Sequence, residues 1–102
     1  PAKNPQKALL EDYKKKYEAK YKEDVSTFGG HAYDAMKILE QAMRAAGPGA
    51  DKEKVRTTIE NMKGLVGTAG IFNFSPTDHN GLDLSAFEML TVKDGKFTVL
   101  EK

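Results

Sequence analysis

The chain of 102 residues is long enough for one domain with one modest core. Its 16 basic and 15 acidic residues leave a net charge of +1, which removes any electrostatic case for nucleic acid or an anionic membrane as partner. With no cysteine, disulfides, zinc–thiolate sites and thiol nucleophiles are excluded, and no apolar run nears the about 20 residues of a membrane span. At 39% hydrophobic and 30% charged residues the composition is globular, not disordered. No secretory signal peptide is recognisable, and the opening at Pro1 in place of a methionine points to a processed or excised chain.

Asn4-Pro5 reads as an N-cap with proline at the first helical position. Leu10, Tyr13, Tyr17 and Tyr21 then recur at three- and four-residue steps and share one helical face. Lys14, Lys15, Lys16, Glu18 and Lys20 occupy the opposite side as a solvated face. A loop through residues 22–30 leads into a second helix. Its apolar positions Ala32, Ala35, Met36, Leu39, Ala42, Met43 and Ala46 form a stripe broad enough for burial on more than one side. Gly47-Pro48-Gly49 stops that helix, and Asp51 caps a third, shorter one with Val55, Ile59 and Met62 on one face.

After Gly64 the pattern turns from helical to extended. Ile71 to Phe74 alternates as a short strand, and residues 75–81 form a polar loop with proline and glycine. Phe87 to Lys93 and Lys96 to Leu100 read as two strands joined at Asp94-Gly95, a strong hairpin signal. The expected fold class is therefore α/β, three helices followed by a small antiparallel β unit with a C-terminal hairpin. The helical stripes would pack on strands that this chain does not supply, so it reads as part of something larger.

Catalytic chemistry finds little support. His31 lies near the second helix start with Asp34 three residues on, but nothing local supplies a nucleophile or an orienting partner. Counted from Asp78, an EF-hand loop would need glycine at the sixth and glutamate at the twelfth position, where Asp83 and Met89 stand. A turn built from Asp78, Asn80 and Gly81 accounts for that segment, although His31 and His79 meeting over a metal defines a third-ranked alternative, a metal-dependent hydrolase. Gly64, Gly67 and Gly70 follow a helix and precede a strand, the reverse of a phosphate cradle. No catalytic, metal or cofactor motif emerges. Phe28, in a glycine-rich loop at a helix start, offers an apolar wall beside free backbone donors; a Phe plugging the core under the loop is the structural alternative.

One resemblance runs along nearly the whole chain. Ala32-Tyr33-Asp34-Ala35, the Asp51 to Arg56 helix, the Gly67/Gly70 segment, Ile71-Phe72-Asn73-Phe74, Asp78-His79-Asn80-Gly81 and the Gly95-Lys96 hairpin follow one another in order. In that order they resemble the C-terminal part of type I periplasmic solute-binding proteins, receptors of ABC importers for branched-chain amino acids and related small carboxylates. The resemblance implies two α/β lobes closing on a solute, with residues 1–66 the helical segment of lobe 1 and 67–102 the crossover and β hairpin of lobe 2. It implies a non-enzymatic, periplasmic protein that binds a small solute and delivers it to an ABC permease. It places Phe28 in the cleft as a ligand contact, with His31 a second candidate. Both N-terminal βα halves of the family pattern are absent from the chain, so its exposed stripes would favour a homo-oligomer, with the hairpin exchanged between copies. A free-standing α/β protein-interaction module is the alternative from another class.

Overall fold

In the computed structural model, which describes residues 4–101, three helices precede two separate antiparallel strand pairs. Helix α1 spans Lys7–Tyr21, α2 Thr27–Ala46 and α3 Lys52–Glu60. Strands β1 (Leu65–Val66) and β2 (Ile71–Phe72) pair with each other, as do β3 (Leu90–Lys93) and β4 (Lys96–Val99), with a single 3-10 turn at Leu84–Ala86 between the pairs. The three helices and the closing hairpin follow in the predicted order with shifted bounds; the first hairpin strand begins at Leu90, not Phe87, which closes the 3-10 turn, and the second ends at Val99.

The first helix starts later than expected. Asn4 does not cap it; its Oδ1 accepts from the Gln6 N–H at 2.8 Å and its carbonyl from Lys7 at 3.1 Å, which closes a turn ahead of the helix. Gln6, the residue at the cap position, makes no side-chain cap because its amide reaches 61 and 62 residues along the chain, to the carbonyls of Gly67 (3.0 Å) and Thr68 (3.1 Å). On the solvated face, Lys14 pairs with Glu18 and Lys16 with Asp12, each at 2.8 Å, and each lysine is held above its ordinary pKa chiefly by that carboxylate's hydrogen bond. The helix buries no residue fully.

The second helix begins earlier than expected, at Thr27, because Ser26 takes the cap position in extended backbone. Phe28, Gly29, Gly30 and His31 are therefore helical. The helix has two distinct apolar faces. Gly30, Asp34, Ala42 and Ala46 are buried and Ile38 is half-buried, a ridge at four-residue steps. Met36, Leu39 and Met43, one or two positions round, are exposed. The broad stripe divides in this way because α3 and the β1–β2 hairpin cover one side only.

Leu65, Phe72 and Phe74 form the core, joined by Ile38, Ile59, Met62, Ala69 and Leu82. Phe72 and Phe74 share a face and stack with ring centroids 5.5 Å apart. Only Ile71–Phe72 of the predicted strand is laddered; beyond it, Asn73 N–H turns to the Gly81 carbonyl and Phe74 N–H to that of Met62. Between β1 and β2 the Gly67 N–H donates to Gly70 O at 2.8 Å, so residues 67–70 reverse the chain in a tight turn instead of carrying it away from the helices. The core thus spans residue 67, and residues 71–82 pack with the helices that precede them.

The last hairpin turns on Asp94 (φ 52°) and Gly95 (φ 74°), the paired positive angles of a type I′ turn, for which Asp-Gly is a preferred sequence. Cross-strand partners are Leu90 with Val99 and Val92 with Phe97 on one side, Thr91 with Thr98 and Lys93 with Lys96 on the other. The hairpin is apolar on one face and polar on the other, and all its residues are exposed. The molecule measures 53 × 32 × 22 Å with a radius of gyration of 16.1 Å. A compact chain of this length has a value of about 13 Å.

Candidate functional site

The start of α2 gathers the features that could hold a ligand. Gly29 N–H reaches Ser26 Oγ at 3.5 Å, a long cap, and Gly30 N–H bonds to the Ser26 carbonyl at 3.1 Å. Among the described residues no acceptor meets the N–H of Thr27 or Phe28. Such donors at the positive end of a 20-residue helix favour an anion. The Phe28 side chain is 83% exposed, so it does not plug the core under the loop. His31 is also exposed, three residues on.

Behind this surface the helix is held by a buried carboxylate. Asp34, only 2% exposed, receives Thr68 N–H on Oδ1 at 2.7 Å, and Ala69 N–H (2.9 Å) and Thr68 Oγ1 (3.0 Å) on Oδ2. Glycines make the approach possible: a Cβ on Gly30 would stand 2.7 Å from Thr68 Oγ1, and one on Gly67 would stand 2.9 Å from Asp34 Cγ. Sequence reasoning missed this contact. Its trace was one acidic residue at i+4 from Gly30, on the ridge that continues through Ile38, Ala42 and Ala46.

On the other side of the helix start lies a tyrosine joint. Tyr13 and Tyr33 rings are 5.0 Å apart, and Tyr13, Tyr17 and Tyr21 follow one another along α1 at 5.8 and 4.8 Å. Burial first, then neighbouring tyrosines and the Asp34 carboxylate, push the Tyr13 phenol above its ordinary pKa, so it stays a neutral donor. A groove of about 610 Å³ opens along these rings, floored by Gly29 and Ala32.

The remaining candidates stand apart. His79 Nε2 meets Glu60 Oε1 at 3.0 Å, and Arg56 Nε meets the same oxygen at 3.3 Å, so this histidine ties the 75–81 loop to α3. No three metal-capable side chains converge among the described residues. The expected Asp-Asn-Gly turn is present: Asp78 Oδ1 accepts from Asn80 and Gly81 N–H, both at 3.0 Å. A second carboxylate, Asp83, caps the 3-10 turn through Ser85 Oγ (2.5 Å) and N–H (2.9 Å), and these bonds lower its pKa.

Comparison with known proteins decides what this arrangement belongs to. A family profile described as periplasmic binding protein matches residues 2–96. The chain belongs to the periplasmic binding protein family. Among solved structures, an extracellular ligand-binding receptor from Rhodopseudomonas palustris HaA2 is 28% identical over 98% of this chain, with a TM-score of 0.81. Another receptor so described from the same organism is 33% identical over 85% of this chain, with a TM-score of 0.73. A protein from Rhodospirillum rubrum assigned as a branched-chain amino acid ABC transporter is 27% identical over 91% of this chain, with a TM-score of 0.74. The chain covers 30%, 26% and 26% of these structures, so it is similar to one part of their fold. No curated protein matches it.

Proposed function

We propose that this chain is the C-terminal portion of an extracytoplasmic solute-binding protein of an ABC importer, taking branched-chain amino acids or related small carboxylates. The observation that carries the reading is the likeness to a ligand-binding receptor along 98% of the chain. The physical setting supports it: Phe28 supplies an apolar wall and the unmet N–H groups of the α2 start supply a carboxylate seat. His31 stands at the rim of the same surface as a secondary contact. The protein acts by binding and lobe closure and hands its solute to a membrane permease, without bond-making chemistry. In this reading the helical segment 1–66 belongs to lobe 1 and the chain passes to lobe 2 within residues 67–102. The packing of residues 71–82 on the helices favours a passage beyond Leu82.

The test is thermal unfolding of the full-length gene product in the presence of leucine, isoleucine, valine and small aromatic acids. A solute at a hundred times its Kd is expected to stabilise the protein by about 2.7 kcal/mol. Phe28→Ala is expected to reduce that stabilisation without lowering the ligand-free melting temperature, since the side chain is exposed. A panel that shifts nothing, or a shift indifferent to Phe28→Ala, refutes the assignment.

A further inference from the structure

The turn between β1 and β2 presents two successive N–H groups and a hydroxyl to one point, and that point is filled by Asp34 from α2. Consecutive backbone donors of this kind form a small anion-binding concavity. Here its occupant is the protein's own carboxylate, fully buried and drawn from 34 residues upstream. Charge-assisted bonds from several donors are short and directional, so they fix rotation as well as distance. On the outer side of the same turn, Gln6 holds the carbonyls of Gly67 and Thr68. One turn back along α2 from Asp34, Gly30 lies against Thr68 with no space for a methyl group. Two contacts four residues apart brace the helix at one azimuth, and Phe28 and His31 leave it on other sides of the same turns.

We propose that Asp34 is the positioning residue of the candidate site, its carboxylate seated in the Thr68–Ala69 backbone so that the first two turns of α2 present Phe28 and His31 in one fixed orientation. That these residues meet a solute rests on the reading above; that Asp34 orients them does not. Releasing the carboxylate frees the start of α2 while leaving α3 and its core contacts closed. Packing alone would act differently, because a shape-filling group without charge would then serve as well.

Site-resolved amide hydrogen exchange on the 102-residue chain tests this without any solute, so its failure is separable from failure of the functional reading. In Asp34→Ala, exchange at Thr68, Ala69 and residues 30–33 is expected to quicken at least about tenfold, while residues 55–60 stay unchanged. Sodium formate, against sodium chloride at equal ionic strength, is expected to restore slow exchange in Asp34→Ala and to leave the parent chain as it was. Asp34→Asn, which keeps the shape but offers only one acceptor oxygen, is expected to open the same amides with no effect elsewhere. Should Asp34→Ala not fold, the Asp34→Asn pattern decides. Faster exchange confined to Thr68 and Ala69, a uniform rise along the chain in Asp34→Asn, or indifference of a folded Asp34→Ala to formate would each overturn the proposal.

Discussion

Two glycines with nearly the same backbone angle, Gly64 (φ 71°) and Gly81 (φ 70°), separate conformational strain from packing. A Cβ on Gly64 meets nothing within 4 Å, whereas one on Gly81 would stand 2.7 and 2.8 Å from the Phe74 ring. Left-handed backbone costs an L-residue ~1–2 kcal/mol, and overfilling a packed core costs ~1–3 kcal/mol more. Gly64→Ala is therefore expected to lose only the first amount in urea unfolding and Gly81→Ala the sum of both. Equal losses would mean that the Phe74 ring moves aside freely. At this scale the sequence is readable wherever a residue is unusual for its surroundings, as with Asp94-Gly95 or the Asp78 turn. It is silent about Gln6 and Thr68, whose partners lie across the molecule, and no local pattern encodes a contact at that separation.

Element boundaries follow from which cap wins. Asp51 Oδ1 accepts from Lys54 N–H at 2.9 Å, while Ser26 Oγ stands at 3.5 Å from Gly29 N–H. A good cap contributes ~1 kcal/mol, and a bond at 3.5 Å falls short of one. Asp51→Ala is expected to destabilise the chain by ~1 kcal/mol and Ser26→Ala by ~0.5 kcal/mol or less, read from urea midpoints. The reverse order would show that the Ser26 bond tightens in solution. The existence of all three helices was legible because apolar spacing is strong over nine to twenty residues. Of their starts only the third was, at the Asp51 cap; Asn4-Pro5 does not open α1, because Gln6 reaches for the 67–70 turn, and Ser26, inside the expected 22–30 loop, opens α2 early. The Leu65–Val66 strand escaped notice because two residues carry no period.

At the scale of the whole molecule, the proportion of covered to uncovered apolar surface is low. Among the described residues five hydrophobic ones are buried, while Leu90, Val92, Phe97 and Val99 form an open face that is 49–81% exposed, and Met36, Leu39 and Met43 form another. Uncovered faces of this kind favour association. The proposal that the chain self-associates through the hairpin predicts a mass that rises with concentration in light scattering. Phe97→Lys, on that face and 81% exposed, is expected to return the monomer with stability changed by no more than ~0.5 kcal/mol. A clean monomer of the parent chain at high concentration would end that idea. The α/β class and the partial character of the fold were legible for the same reason, since stripes without partners are visible in sequence.

The attachment of α1 has a kinetic meaning. It buries no residue fully, and its ties to the β1–β2 turn are two amide bonds from Gln6 that close loops of about sixty residues. Closing such a loop is entropically slow, and its gain is realised only once the turn it grips is already formed. The Gln6 clasp is then the last tie of the leading helix to form and the first to open, while the Tyr13–Tyr33 contact, closing a far shorter loop, keeps the helix on α2.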